Sequence, residues 1–170
     1  MRKILVLIIA PLLGACVLQS ETPLVSESQG VLALAGLGPA FDSYSQHNAT
    51  WDKDDETITL TAEGQHYVVS DGKDKLIATF ATIAGDAFVM QAQEQDKPAA
   101  YVLATRDGAT LLLAPISCSA LKEAASFDAL VRFDGDDCFA KPGADAAALF
   151  KAAAQLKLQP TMKLTSKTGG

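Results

Sequence analysis

The feature that most constrains the fold is a series of short β-rich runs, separated by turn pairs, between residues 57 and 113. In the first run, Ile58 and Leu60 alternate with threonines, which is the period-two pattern of a strand with one buried face. Further runs follow within residues 65–70, 76–83, 88–92, 101–105 and 111–113. The turn pairs that separate them are Glu63-Gly64, Asp71-Gly72, Gly85-Asp86, Lys97-Pro98 and Asp107-Gly108. This spacing predicts an antiparallel β-meander of about six strands, with one face covered and the other partly wet.

Helical patterns follow the predicted sheet. Residues 119–125 predict a short helix with Ser117 or Ser119 as its cap. A stronger pattern covers residues 146–156, where Asp145 can cap the amino terminus of the helix. The apolar face of this helix is formed by residues at helical spacing, which are Leu149, Ala153 and Leu156. The predicted fold class is therefore α+β, with this C-terminal helix packed on one face of the sheet.

The remaining segments carry weaker signals. Residues 31–37 are small and apolar, and periodicity alone does not distinguish a strand from a short helix; we expect a strand or an irregular packed segment. Residues 41–51 lack clear alternation and predict a loop. After Pro160, residues 161–165 can add a last strand. Residues 17–30 are mostly polar without sustained periodicity, which is typical of a tether.

The chain begins with the basic residues Arg2 and Lys3, followed by an apolar run from residue 4 to residue 13. A run of this length is typical of a secretory signal peptide and falls short of the roughly 20 residues that span a bilayer. It ends in Leu13-Gly14-Ala15-Cys16, which resembles the lipobox of bacterial lipoproteins. The resemblance implies that residues 1–15 are removed and that the Cys16 thiol carries diacylglycerol. An ordinary secretory signal, cleaved without lipid attachment, is the alternative.

The resemblance to a bacterial membrane lipoprotein divides the chain into three parts. These are a signal peptide at residues 1–15, a lipidated flexible tether at residues 16–30, and a single α+β periplasmic domain at residues 31–170. Cys16 is followed by Val17 rather than by the Asp that resembles an inner-membrane retention signal in enteric bacteria. That comparison implies a lipid anchor in the outer membrane, on its periplasmic face. The inner membrane and the cell surface are the alternatives.

The chain has three cysteines, and the predicted compartment assigns them different roles. With Cys16 occupied by lipid, Cys118 and Cys138 remain as a pair in an oxidising setting. A redox or nucleophilic cysteine is the alternative, but the sequence has neither Cys-x-x-Cys spacing nor an adjacent histidine that would lower the pKa of a thiol. We therefore expect one disulfide bond, between Cys118 and Cys138.

The charge of the chain argues against nucleic acid as a partner. The full sequence has a net charge of −6, and loss of Arg2 and Lys3 with the leader reduces 14 basic residues to 12 against 20 acidic ones, a net charge of −8. Such a surface repels phosphate backbones and anionic lipid headgroups, and the basic residues are scattered rather than clustered. Membrane attachment must then come from the N-terminal lipid.

Two groups of residues have the chemical types of a catalytic or zinc site. Asp42, Ser45 and His47 include the types of a hydrolytic triad, but known triads usually converge from distant segments, and no Gly-x-Ser-x-Gly motif is present. His47 and His66 do not lie at a recognised zinc spacing from any partner. We predict one loop histidine and one solvent-facing strand histidine, and assign no catalytic residue.

An acidic run places oxygens at positions 1, 3, 5 and 12 of a calcium loop, through residues 52–56 and Glu63. Position 6 is Thr57 where the sharp turn requires glycine, and the following residues alternate as a strand. Asp134-Gly135-Asp136-Asp137 offers too few ligands for a closed site. We predict no metal site and, in the absence of phosphate-binding or dinucleotide motifs, no cofactor.

Several aromatic residues are candidates for a ligand cleft, namely Trp51, Tyr67, Phe80, Phe88 and Tyr101. Aromatic residues at period two in strands more often belong to the core. The leading functional prediction is a non-catalytic binding or assembly module whose partner is an envelope protein. Two other classes stay open, a periplasmic small-ligand carrier and a hydrolase with His47 or His66 as its base.

Overall fold

A computed structural model describes residues 16–72 and 74–167; the predicted signal peptide, residues 1–15, lies outside them. The strands are β1 (Leu18–Ser20), β2 (Ala40–His47), β3 (Thr50–Glu63), β4 (His66–Ser70), β5 (Lys75–Ala84), β6 (Ala87–Gln93), β7 (Ala99–Asp107), β8 (Thr110–Pro115), β9 (Val131–Asp134), β10 (Asp137–Ala140) and β11 (Met162–Ser166). The helices are α1 (Cys118–Glu123) and α2 (Ala146–Ala154), and two 3-10 turns cover Glu27–Gln29 and Ala125–Phe127.

Eight strands close into an antiparallel β-barrel, so the predicted α+β fold with an open meander of about six strands is wrong. Strands β2 to β8 pair in chain order, and β11 closes the barrel by pairing with both β8 and β2. Strands β1, β10 and β9 extend the sheet outward from the beginning of β7. The inner face of the sheet is therefore covered by the opposite strands of the barrel. The fold is mostly sheet, with one substantial helix.

The segment at residues 41–51, predicted to be a loop, instead supplies β2 and the beginning of β3. The register of the two strands shifts beside Ser43, where residues 54–56 of β3 stand opposite this one residue. The bulge lets Asp54 accept hydrogen bonds from the hydroxyl of Ser43 (2.7 Å) and the hydroxyl of Ser45 (3.0 Å). On β2, the buried position after Phe41 is occupied by the polar Ser43, which interrupts the hydrophobic alternation that marks a strand.

The barrel interior is filled by side chains. The ring of Phe80 packs edge-to-face against Tyr67, with ring centres 5.8 Å apart, and against Phe88, with ring centres 6.4 Å apart. The cavity that remains inside has a volume of about 30 Å³ and is lined by apolar residues that include Ile58 and Leu111. An eight-stranded barrel is just wide enough for side chains to fill it, so this interior is a packed core.

The irregular segment at residues 31–37 packs against the barrel interior. Ala33 and Leu34 belong to the interior core, and the amide of Leu34 donates a hydrogen bond to the hydroxyl of Tyr67 (3.0 Å). The guanidinium of Arg106 donates to the carbonyl oxygen of Ala33 (2.8 Å). Burial raises the pKa of Tyr67. Of the two alternatives for this segment, the irregular packed one is therefore present.

A second hydrophobic core lies on the outer face of the barrel, beneath α2. The buried residues that α2 contributes to it are Leu149, Phe150 and Ala153. The centre of the Phe150 ring lies 5.2 Å from the centre of the Tyr101 ring on β7. At the amino terminus of α2, the carboxylate of Asp145 accepts a hydrogen bond from the amide of Ala148 (3.0 Å). The predicted cap and helix are thus present. Among the described residues, no helix has the length and hydrophobicity needed to cross a membrane.

The predicted disulfide bond between Cys118 and Cys138 is present, with the two Cα atoms 5.4 Å apart. It joins the first residue of α1 to β10. The two cysteines lie 20 positions apart in the sequence. Closing a loop of this length is expected to stabilise the fold by about 3 kcal/mol, through the entropy that it removes from the unfolded chain.

Candidate functional site

The candidate anchor site is the amino-terminal segment that begins at Cys16. Cys16 is exposed and unpaired, whereas Val17 is only 3% exposed and Leu18 is 0% exposed. The amide of Cys118 donates a hydrogen bond to the carbonyl oxygen of Cys16 (2.8 Å), and the amide of Leu18 donates to the carbonyl oxygen of Ile116 (2.8 Å). Cys16 is therefore held against the domain by its backbone while its side chain faces solvent.

The disulfide bond ties together the two chain segments that flank this amino-terminal segment. Leu18 pairs in parallel with Cys138 of β10, and Val17 forms a β-bridge with Ser117. Cys118 follows directly and begins α1. We name this arrangement the anchor clamp and define it as residues 16–18, 116–118 and 138. The disulfide thus connects two sides of the anchor clamp.

The chain beyond the clamp is bound to a buried polar cluster on the outer face of the barrel. The hydroxyl of Tyr101 shares a 2.5 Å hydrogen bond with that of Ser20 and accepts another from the amide of Leu24 (2.9 Å). The side chain of Gln91 accepts from the amide of Val25 (2.9 Å) and donates to the carbonyl oxygen of the same residue (3.1 Å). Burial of the phenol raises the pKa of Tyr101.

Residues 16–30, expected to form a flexible tether, are instead packed on the barrel wall. The apolar side chains of Val17, Leu18 and Val25 are buried. Gly30 approaches Gln65 so closely that an added Cβ atom would stand 2.3 Å from the backbone oxygen of Gln65. A lipid on Cys16 would therefore be attached to the domain without a flexible linker.

We expect Tyr101→Phe to lower the free energy of unfolding by about 2 kcal/mol, because the amide of Leu24 and the hydroxyl of Ser20 lose a buried partner. Urea unfolding measures the change from the shift of the midpoint at constant slope. Tyr44→Phe is the matched control, since the Tyr44 ring lies on the surface with the ammonium of Lys163 4.1 Å from its centre. Equal losses in the two variants would contradict a stabilising role for the cluster.

Two apolar grooves lie on either side of α2, between the helix and the outer face of the barrel. The larger has a volume of about 490 Å³ and is bounded by residues 24–31, by β5 and β6, and by α2. Its apolar lining includes Val25, Val31, Ile83, Val89, Ala147 and Phe150. The smaller has a volume of about 220 Å³, shares Ile83 and is bounded by residues 154–160. We refer to them as the larger and the smaller α2 groove.

Each α2 groove contains one lysine. Among the described lining residues, Lys151 is the charged residue of the larger groove and Lys157 that of the smaller one. The ion pairs formed within the described ranges use other basic side chains, namely Lys53, His66, Lys97 and Lys167. Each groove thus combines apolar walls with a lysine that forms no ion pair with a described carboxylate, in a chain with more acidic than basic residues.

The two histidines lie near opposite ends of β3. His47 pairs with Thr50 at the beginning of this strand, and His66 pairs with Glu63 at its end. At about 3.3 Å per residue, the length of the strand separates them by roughly 40 Å, so they cannot contribute to one site. The Nδ1 atom of His66 lies 3.5 Å from a carboxylate oxygen of Glu27, while His47 is exposed.

The other residues of the candidate triad are also kept apart. The carboxylate of Asp42 pairs with Lys53 (3.0 Å) and Lys167 (3.2 Å). The hydrogen bond from Lys53, followed by that from Lys167, holds the pKa of Asp42 below its usual value. The hydroxyl of Ser45 donates instead to Asp54. Asp42, Ser45 and His47 therefore do not assemble into a proton-transfer chain.

The candidate calcium loop is part of an extended strand. β3 covers residues 50–63, so Asp52 and Glu63 lie far apart along it and cannot surround one ion. Asp134-Gly135-Asp136-Asp137 forms the tight connection between β9 and β10. Within residues 16–72 and 74–167, no three His, Cys, Asp or Glu side chains are grouped so that they could hold a metal ion.

The five aromatic candidates do not line one cleft. Tyr67, Phe80 and Phe88 lie in the barrel interior, and Tyr101 lies in the outer core beneath α2. Trp51 is on the barrel surface, where the ammonium of Lys163 lies 5.3 Å from the centre of its ring. The α2 grooves, which the sequence did not predict, share one residue with this set, because Phe88 also lines the smaller groove. For the larger groove, the sequence signal is the apolar pair Leu24-Val25 within the polar segment.

Comparison with known proteins gives no family assignment. No protein-family model, curated protein or solved structure matches this chain significantly. The function is therefore inferred from the chain's own residues.

Proposed function

We propose that this chain is an envelope lipoprotein whose barrel domain is attached directly to a membrane through a lipid on Cys16. The observation that carries the proposal is the position of Cys16, whose side chain is exposed while the two residues after it are buried in the domain. The leader that ends in Leu13-Gly14-Ala15-Cys16 supports the same assignment. A diacyl anchor provides the two acyl chains that stable membrane attachment requires.

The proposed location is the periplasmic face of the outer membrane. Val17 after the cysteine supports this address, since the Asp of the enteric retention signal is missing. The disulfide bond between Cys118 and Cys138 is of the kind that persists in an oxidising compartment. The inner membrane and the cell surface are the alternative addresses.

The proposed role is that of a non-catalytic binding or assembly module, with an envelope protein as partner. Two features support it. The residues considered for hydrolysis are dispersed, with His47 and His66 near opposite ends of β3. The barrel interior is filled and leaves the outer surface as the region available for contacts.

A small-ligand carrier is the second candidate function. The interior cavity of about 30 Å³ has room for little more than one water molecule, so it does not suit a carrier. The larger α2 groove, at about 490 Å³, lies within the range of roughly 300 to 1,000 Å³ that is typical of small-molecule sites. A carrier function would therefore use the outer groove and not the barrel interior.

The non-catalytic role predicts that the double variant His47→Ala, His66→Ala retains full function. Neither side chain is assigned to chemistry, and removing them is expected to change stability by about 1 kcal/mol or less, as for most surface substitutions. The measurement is whether the variant complements a strain from which this gene is deleted as well as the wild type does, with circular dichroism and fractionation as checks. Cys16→Ala in the same strain is the positive control for loss of function. Failure of the double variant to complement, with normal folding and localisation, would favour catalysis or metal binding.

A further inference from the structure

We infer that the larger α2 groove binds a single-chain amphiphile with an anionic head group, of which a fatty carboxylate is the simplest example. The inference rests on the second proposed function, a small-ligand carrier, and adds the chemical class of the ligand. It does not depend on lipid attachment at Cys16.

The walls of the groove suit an acyl chain. Ile83 and Val89 from the outer face of the barrel form one side, Val25 and Val31 from the amino-terminal segment form another, and Phe150 belongs to α2. These side chains offer no hydrogen bonds, and an alkyl chain requires none. Moving an alkyl chain from water onto such walls is favourable because it removes apolar surface from water on both sides.

The polar residues of the groove suit an anionic head group. Lys151 supplies a positive charge that no described carboxylate neutralises. Gln29 also lines the groove, and its side-chain oxygen already accepts hydrogen bonds from the amide (3.0 Å) and the hydroxyl (2.9 Å) of Ser26. This leaves the amide nitrogen of Gln29 as the group that can donate. A carboxylate accepts hydrogen bonds from an ammonium or an amide nitrogen, and a contact with Lys151 would be charge-assisted.

The size of the groove favours a small ligand over a protein. A specific protein interface buries about 800 Å² on each partner, whereas this groove is a recess beside a helix of nine residues. Its volume of about 490 Å³ is in the range of a small-molecule site. The charge of the lysine then selects an anionic head group over a cationic one.

The test is isothermal titration calorimetry on the mature chain, residues 16–170, with Cys16→Ala so that it carries no lipid of its own. The probes are dodecanoate and dodecyltrimethylammonium, each below the concentration at which it forms micelles. Saturable 1:1 binding of dodecanoate, at least fivefold tighter than binding of the cation, is expected. Lys151→Gln should weaken dodecanoate binding roughly fivefold, the effect of one partly exposed charge contact. The matched control is Lys122→Gln, because Lys122 is exposed on α1 and lines neither groove.

A second variant tests the position of the alkyl chain. Ala147 lines the larger groove, and Ala147→Trp should fill it and weaken dodecanoate binding at least tenfold. Ala148→Trp is the matched control, because Ala148 is the next residue of α2, is exposed and lines neither groove. Urea unfolding of both variants shows whether each is folded. If Ala147→Trp does not fold, Lys151→Gln still tests the inference.

Several results would overturn the inference. These are absence of saturable binding, equal affinity for the two probes, and full dodecanoate affinity in both folded variants, Lys151→Gln and Ala147→Trp. Self-association that Ala147→Trp abolishes, without any dodecanoate binding, would assign the groove to a second copy of the chain. Membrane attachment of the wild type is measured separately, so a negative result here leaves the anchor proposal standing.

Discussion

Phe80→Ala is expected to lower the free energy of unfolding by about 4 kcal/mol, the range measured for removal of a fully buried aromatic ring. Phe80 is 0% exposed and packs edge-to-face against both Tyr67 and Phe88 inside the barrel. Strands on all sides of the ring restrict collapse around the cavity that the substitution leaves. Urea unfolding measures the loss, and the effect is large because a domain of this size has a total stability of about 5–15 kcal/mol.

The matched control for this substitution is Phe139→Ala. Phe139 is half-buried on β10, outside the barrel, and the guanidinium of Arg132 lies 5.1 Å from the centre of its ring. Its truncation is expected to cost about 1 kcal/mol, from a partly exposed cation–π contact. Similar losses at Phe80 and Phe139 would contradict a filled barrel whose interior is the main core.

Cys16→Ala is expected to move the protein from the membrane pellet to the soluble fraction, or to leave an uncleaved precursor of higher mass. The reason is that the thiol is the proposed attachment point for diacylglycerol, and a diacyl anchor is what makes attachment stable. The measurement is fractionation after a carbonate wash, with the mass of each species determined.

The double variant Cys118→Ala, Cys138→Ala is the matched control for Cys16→Ala. It also removes cysteine side chains, but it retains the proposed lipid site, so it should stay in the membrane pellet despite the loss of about 3 kcal/mol of stability. Cys16→Ala protein of mature size that remains in the pellet would contradict attachment through this residue.

The elements that the sequence predicted correctly are those set by neighbouring residues. The carboxylate of Asp145 caps α2 by accepting a hydrogen bond from the amide of Ala148, only three residues along the chain. Gly64, Gly72, Gly85 and Gly108 all have positive φ in the connections between strands, which is the conformation that glycine adopts without strain. Local patterns carry this information because the interactions that form these elements are themselves local.

Barrel closure was not predictable in the same way. It depends on the pairing of β11 with β2, two strands from opposite ends of the domain. An open sheet covered by a helix and a closed barrel both bury one face of each strand, so they share one alternating pattern. The buried Ser43 interrupts that alternation in β2. Without β2, the sequence pattern does not show the eight strands that a closed barrel of this kind requires.

The packing of residues 16–30 also depends on distant partners. The amide of Leu24 donates to Tyr101, 77 residues away, and Val25 bonds with Gln91, 66 residues away. Nothing in the local composition identifies these partners. The anchor clamp and the larger α2 groove were missed for this reason, because each combines segments that are far apart in sequence. The lipobox prediction itself concerns residues that are largely outside the described part of the chain.

Mass spectrometry of the amino-terminal peptide, from protein purified out of its native membranes, tests the central claim most directly. The account predicts that Cys16 is the first residue of the mature chain and that its sulfur carries a diacylglyceryl group. A mature chain with an unmodified Cys16, or one that begins at another residue, would contradict it.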